Sequence, residues 1–147
     1  MTKQSKPERR VEVILEDWAE FLGLSQQWEI TFSVVDGLRG QSKQGADEAD
    51  TIADVIFAYP YLKAHLRIDK GHAVGCSNRD LESLILHELV HILLERIYGP
   101  IKEYFGANSA ITNNLSSHFE TAVDSLTRIL LRSRSITGKK RSGVSNA

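Results

Sequence analysis

Residues 81–95 read LESLILHELVHILLE, and this stretch decides the fold. Its Leu, Ile and Val residues recur on nearly every side of a 3.6-residue repeat, so the sequence predicts a helix that is apolar almost all round. A helix of that kind lies inside a domain and not on its surface. We expect it to start near Ser77, where Asp80 three residues later gives a capping-box-like start, and to end near Tyr98, before a Gly-Pro pair.

Three of the polar residues in this stretch form a motif: His87, Glu88 and His91. Residues at i and i+4 lie on one helix face about 6 Å apart, so the two imidazoles can converge on one metal ion while the carboxylate stands beside it. Burying the three side chains without partners would be costly. The spacing is typical of a hydrolytic zinc site, in which the carboxylate takes a proton from the metal-bound water and returns one to the leaving group.

A catalytic zinc site takes three protein ligands and keeps one position open. The last predicted helix, from about Leu115 to Arg134, offers His118, Glu120 and Asp124. The two acidic residues are four apart and share a face, whereas the histidine is two residues from Glu120 and points elsewhere. We therefore expect Glu120 to be the third ligand of one Zn²⁺ ion. Asp124 is then placed to accept the free N–H of a ligating histidine.

The rest of the chain predicts an α+β domain. An amphipathic helix follows Pro7 and continues to Gly23, and three segments with strand patterns come next, at residues 28–34, 51–59 and 61–69. We expect a small mixed or antiparallel sheet of three or four strands packed on the motif helix, with the last helix behind it. These elements form one predicted domain over residues 1–131.

Composition describes one ordinary domain of 147 residues, 41% hydrophobic and 25% charged. A chain of this length can fold on its apolar core, so a metal site in it needs a reason other than stability. Cys76 is the only cysteine, which excludes an intramolecular disulfide and a Cys-rich zinc site. No apolar stretch reaches the roughly 18 residues of a membrane span, and the first ten residues have no signal-peptide core. We expect a cytoplasmic protein without membrane contact.

The formal net charge of -1 hides an asymmetry. Residues 132–147 carry five basic residues and no acidic one, while the body carries 13 basic against 19 acidic residues. We expect this basic, Ser- and Gly-containing tail to be disordered. Such a tail can contact nucleic acid in a salt-dependent way, but we do not expect that contact to be the main function.

The two motifs together resemble the gluzincin metallopeptidases, over about Thr51 to Leu131. In that family His-Glu-x-x-His is followed on a later helix by Glu-x-x-x-Asp, and here these motifs occupy residues 87–91 and 120–124. The likeness is strongest to small single-domain metallopeptidases of phages and bacteria. SprT-like proteases have a histidine ligand soon after the motif, whereas here none follows His91 before residue 118. The antirepressor-cleaving peptidases of mobile elements, with a later acidic or histidine ligand, stay an alternative.

The resemblance implies a minimal zincin-like fold and zinc-dependent hydrolysis of peptide bonds, with a peptide or protein as substrate. Its ligands would be His87, His91 and Glu120, and Glu88 would be the general base. An edge strand beside the motif helix would bind substrate as an added strand, and by position we expect this to be Tyr61–Asp69.

Two questions stay open after the resemblance. Larger gluzincins carry a further His or Tyr that stabilises the oxyanion, and the candidates in this chain are His118, Tyr104 and Tyr98. The spacing of His65 and His72 predicts no role for them in the site, and we expect them to be structural or exposed.

The alternative function is a non-hydrolytic zincin-fold module that binds or regulates a protein partner, as in phage or mobile-element regulators. The intact Glu88 argues against it, because a pure binding site needs no base.

Overall fold

The computed structural model describes residues 5–38, 51–106 and 109–142, with side chains as far as residue 135. Two compact units divide the chain: a first unit, Met1–Leu93, and a second unit, Leu94–Ala147. The described residues confirm the α+β class. Their elements in chain order are α1 (Lys6–Phe21), a 3-10 turn (Leu24–Gln26), β1 (Glu29–Val35), β2 (Ala53–Ala58), β3 (Lys63–Asp69), α2 (Lys70–Gly75), α3 (Asn78–Phe105) and α4 (Ala110–Ser142).

The three strands form one mixed sheet in the order β1-β3-β2. β1 is parallel to β3, and β2 is antiparallel to it, with Ala53 opposite Ile68. The expectation that Tyr61–Asp69 forms an edge strand is wrong, because β3 is hydrogen-bonded on both sides. Its inward residues Ala64, Leu66 and Ile68 are all buried, as the middle strand of a half-covered sheet requires. Within the described ranges, the edges of the sheet are β1 and β2.

Helix α1 packs its apolar face into the first unit. Pro7 lies in its first turn, and the Ser5 N–H donates to the Glu8 carboxylate at 2.7 Å, which closes the N-terminal capping box. Trp18 is fully buried, and its indole N–H donates to Glu82 Oε1 of α3 at 2.9 Å. This bond satisfies the polar atom of a large core side chain and fixes α1 against the motif helix.

Helix α3 starts where the sequence predicts. The Asp80 N–H donates to Ser77 Oγ at 3.1 Å, and the Ser77 hydroxyl donates to Asp80 Oδ2 at 2.7 Å. Along the following turns six apolar residues are completely buried in the first unit, as expected of a central helix: Leu81, Ile85, Leu86, Leu89, Val90 and Ile92. Leu84 is half-buried and Leu93 is exposed.

The predicted end of this helix near Tyr98 is wrong, since α3 continues through Gly99 and Pro100 to Phe105. A proline ring clashes with the N–H and the Cβ of the residue before it and so disfavours a helical conformation there. Gly99 precedes Pro100 and has no Cβ, which removes part of this clash. The last helical residue is Phe105. The next residue, Gly106, has a φ of 81°, the left-handed conformation that is common directly after helix ends.

The second unit has its own packing around Tyr98. The Tyr98 ring stacks on Phe119 with ring centroids 4.2 Å apart, and Lys102 Nζ lies 4.9 Å from the Tyr98 centroid. The same ammonium group pairs with the buried Glu95 carboxylate at 3.1 Å. One lysine thus neutralises a buried charge and covers an aromatic ring.

Helix α4 is longer than predicted. It starts at Ala110, five residues before Leu115, where Ser109 Oγ accepts the Thr112 N–H at 3.1 Å. At the other end it continues to Ser142, so residues 132–142 are helical where we expected the tail, and residues 143–147 lie outside the described part. None of the described helices is both long and apolar enough to cross a membrane.

Arg10 clamps the segment between β3 and α3 to helix α1. Its Nη1 donates to the Ala73 carbonyl at 2.9 Å, Nη2 to the Cys76 carbonyl at 3.1 Å, and Nε to Asn78 Oδ1 at 3.0 Å. Two of these bonds are partly buried. Because the guanidinium is planar and always charged, one side chain holds three acceptors in a fixed arrangement.

We expect Arg10→Ala to lower the free energy of unfolding by about 2–4 kcal/mol, because three hydrogen bonds from a charged donor are lost and two carbonyls lose their partner. Urea denaturation followed by circular dichroism measures this change. The matched control is Arg9→Ala, which removes the exposed neighbouring arginine and is expected to change stability by less than about 0.5 kcal/mol. Equal urea midpoints for the two variants would contradict the clamp.

Candidate metal and catalytic site

His87 and His91 lie one turn apart on α3, and their side chains meet. The two Nε2 atoms are 3.1 Å apart, and the ring centroids lie 4.9 Å apart at an interplanar angle of 69°. Both rings are half-buried. The helical spacing therefore does what the sequence predicts, since it brings two imidazole nitrogens to one point.

This distance suits two ligands of one metal ion. Zinc binds imidazole nitrogen at about 2.0–2.1 Å, so two nitrogens in a tetrahedral site lie about 3.3 Å apart. The observed 3.1 Å is within a few tenths of an ångström of that value. Neutral imidazole is also the usual nitrogen ligand of zinc, so the chemistry of the pair matches its geometry.

Glu88 is a buried carboxylate beside this pair, with 8% of its surface exposed. It precedes Leu89 and Val90, both fully buried, on a helix that is otherwise apolar at this depth. Carboxylates are, with imidazoles, the usual general bases of enzymes. Glu88 is therefore chemically able to accept a proton from a water molecule in an adjoining cleft and to release it again.

Such a cleft lies beside His87 and Glu88 within the first unit. Its volume is about 420 Å³, and its lining residues come from α3, α2 and the start of β2: Ile52, Ala53, His72, Asp80, Ser83, Leu84, His87 and Glu88. The α3 members follow the i, i+3, i+4, i+7 spacing of one helix face. From Glu88 to Asp80 that face is about 12 Å long, enough for three or four residues of extended peptide.

The remaining predicted residues belong to the second unit. Glu120 and Asp124 are exposed on α4, one turn apart. Two imidazoles and one carboxylate are a donor set that zinc accepts in catalytic sites. The roles given to Glu120 and Asp124 stay predictions.

The three oxyanion candidates have different surroundings. Tyr98 is buried and stacked on Phe119, Tyr104 is 84% exposed and packs edge-on against Phe105, and His118 is exposed on α4. No contact among the described residues gives any of them a catalytic role, and all three stay predictions.

His72 also lines the cleft, although its spacing predicts no role for it in the site. It lies in α2, a six-residue helix between β3 and α3 that the sequence pattern does not predict. The residue that could have predicted this helix is Asp69, a common N-cap residue. Its carboxylate Oδ1 accepts the His72 N–H at 2.9 Å. Nothing in the spacing of His72 relative to the motif could have placed its side chain in the cleft.

No protein-family model matches the chain, and no curated protein matches it. Among solved structures, it is similar to the crystal structure of the metallopeptidase zymogen of Methanocaldococcus jannaschii jannalysin, with 20% identity over 84% of this chain and 92% of that one and a TM-score of 0.39. At this level of similarity, an assignment of function depends on the residues of the site.

Proposed function

We propose that this chain is a zinc-dependent peptidase, with His87, His91 and Glu120 as metal ligands and Glu88 as general base. The observation that carries the proposal is the convergence of the two Nε2 atoms, 3.1 Å apart, next to a buried carboxylate on the wall of an open cleft. A binding site for metal alone needs the two imidazoles but has no use for a carboxylate directly after the first of them.

Zinc, when bound, lowers the pKa of water and polarises the carbonyl of a bound peptide. The protein side chains do the rest of the work. Glu88 accepts the proton of the attacking water and then delivers it to the leaving amine, so the carboxylate ends the reaction as it began. Asp124 accepts the remaining ring N–H of a ligating histidine and so fixes its tautomer.

The substrate in this proposal is an extended peptide. The cleft begins at Ile52 and at Ala53, the first residue of the antiparallel strand β2, which is an edge of the sheet within the described residues. A peptide added to this edge would use backbone hydrogen bonds for affinity and little of its own sequence for selectivity. In this proposal β2 has the substrate-binding role that was expected of β3.

Metal content and chelation test this function. We expect purified protein to carry one zinc ion per chain, and we expect removal of zinc by a chelator to abolish cleavage of an unfolded protein substrate. Far-UV circular dichroism should stay nearly unchanged, because the core of the first unit consists of buried apolar side chains. Restoring zinc should restore cleavage.

Two outcomes would count against the proposal. Cleavage that continues unchanged in the chelated protein would exclude the metal from the reaction. Stoichiometric zinc without cleavage of any protein or peptide would favour the non-hydrolytic binding module instead.

A further inference from the structure

A histidine outside both motifs shares the cleft with the proposed catalytic residues. His72 of α2 lines the same 420 Å³ space as His87 and Glu88, and its side chain is half-buried. Unlike the motif residues, which lie on α3, His72 lies in the short connection between β3 and α3.

The backbone around His72 is held at several points. Its N–H donates to Asp69 Oδ1 at 2.9 Å, and its carbonyl accepts the Cys76 N–H at 3.0 Å. The next carbonyl, that of Ala73, accepts a bond from the Arg10 guanidinium. Asp69 itself is buried, with 5% of its surface exposed. A buried carboxylate and an arginine clamp therefore hold one six-residue helix in place.

The packing of this turn leaves little freedom. A Cβ added at Gly71 would lie 3.2 Å from Asp69 Oδ1, closer than most real contacts of that kind. A residue at this position without a side chain lets the cap carboxylate approach the backbone closely. These contacts hold the backbone of His72 in one position. A fixed backbone is needed if the side chain is to act as a preorganised hydrogen-bond donor.

Hydrolysis of a peptide needs such a donor, because the carbonyl oxygen gains negative charge when water attacks. Among the lining side chains, Ile52, Ala53 and Leu84 have no polar hydrogen. Asp80 already accepts the Ser77 hydroxyl, and its carboxylate would repel the charge. Ser83 has a hydroxyl, but this short side chain lies on α3 itself, on the same helix face as the proposed ligand His87. The imidazole of His72 is a longer donor, and it comes from a different element.

We propose that His72 is a further catalytic residue, whose ring N–H donates a hydrogen bond to the substrate carbonyl oxygen as that oxygen becomes negatively charged. This proposal rests on the proposed peptidase function. It assigns to α2 the role for which Tyr98, Tyr104 and His118 were the candidates from sequence. Asp69 and Arg10 are then positioning residues for His72.

The test measures kcat and KM of the zinc-loaded full chain with fluorescence-quenched peptides of mixed sequence. We expect His72→Ala to lower kcat by about 10²- to 10³-fold with little change in KM, because the bond forms mainly in the transition state. His72→Gln keeps an N–H donor and should recover part of the loss. A phosphinic peptide, which carries the charged oxygen permanently, should bind to His72→Ala more weakly by a similar factor.

The matched control is His65→Ala. His65 lies on β3, where its ring nitrogens bond to the hydroxyls of Thr31 and Ser33 at 2.8 and 2.9 Å. This variant should keep the wild-type kcat. Zinc content and circular dichroism of all variants should equal those of the wild type, which separates a catalytic loss from misfolding.

Two results would overturn the role of His72 while leaving the peptidase function intact: a wild-type kcat in His72→Ala, or a raised KM with unchanged kcat and unchanged affinity for the phosphinic peptide. If the wild-type protein itself cleaves no peptide, or if Glu88→Gln cleaves as fast as the wild type, the proposed function fails and the role of His72 fails with it.

Discussion

Replacing Glu88 by glutamine is expected to lower kcat by about 10²- to 10⁴-fold while the protein keeps its zinc. The amide has the shape of the carboxylate, so it fills the same buried position, but it cannot accept a proton from water. Because Glu88 is not a predicted ligand, the metal content should stay at one ion per chain. Peptide cleavage assays and elemental analysis of the same preparation measure both quantities.

The control for this result is Glu103→Gln, which changes an exposed glutamate on the same helix. It should cleave at the wild-type rate, since its side chain faces solvent. A Glu88→Gln protein that cleaves normally would remove the general base from the mechanism. A variant that loses both cleavage and zinc would show that the carboxylate acts on the metal and not on the water.

Replacing His87 by alanine is expected to weaken zinc binding by more than about 100-fold, which exceeds the usual effect of changing a residue that only contacts a ligand. The two imidazoles converge at 3.1 Å, so the loss of one leaves a single nitrogen donor at this point of α3. Competition with a fluorescent zinc chelator measures the affinity. Cleavage should be abolished at zinc concentrations that saturate the wild type.

The same titration tests the third ligand. Glu120→Ala should also weaken zinc binding. His118→Ala should leave the zinc affinity unchanged, because His118 is two residues from Glu120 and lies on a different face of α4. Unchanged zinc affinity in His87→Ala would contradict the metal site. Unchanged affinity in Glu120→Ala alone would leave the histidine pair in place and move the third ligand elsewhere.

The elements that the sequence predicted well are those whose signal is periodic. Helix α1, the three strands and the first half of α3 follow the spacing of their apolar residues, and burial of Leu81 and Ile85 confirms the central position of the motif helix. The convergence of His87 and His91 was predictable for the same reason, since it depends only on the geometry of one helix.

The errors arise where a local rule competes with tertiary structure. A Gly-Pro pair ends many helices, but α3 accommodates Pro100 because Gly99 lacks the Cβ that would clash. Strand order is not contained in the pattern of any single strand, so the position of β3 in the middle of the sheet could not be read from Tyr61–Asp69.

The role proposed for His72 shows the same limit at the level of the site. Its neighbours in the cleft, Ala53 and Glu88, are far from it along the chain, and only the folded arrangement of β2, α2 and α3 brings them to one wall. What the sequence does contain is the cap at Asp69, which indicates a helical turn. It contains no information about which way that turn faces.

The most direct test of the central claim is mass spectrometry of new protein termini. Wild-type protein and Glu88→Gln, both loaded with zinc, are incubated with the same unfolded protein substrate, and the termini formed in each sample are counted. A peptidase that uses Glu88 as its base predicts new termini in the wild-type sample and almost none in the variant. New termini in equal number in both samples, or in neither, would contradict it.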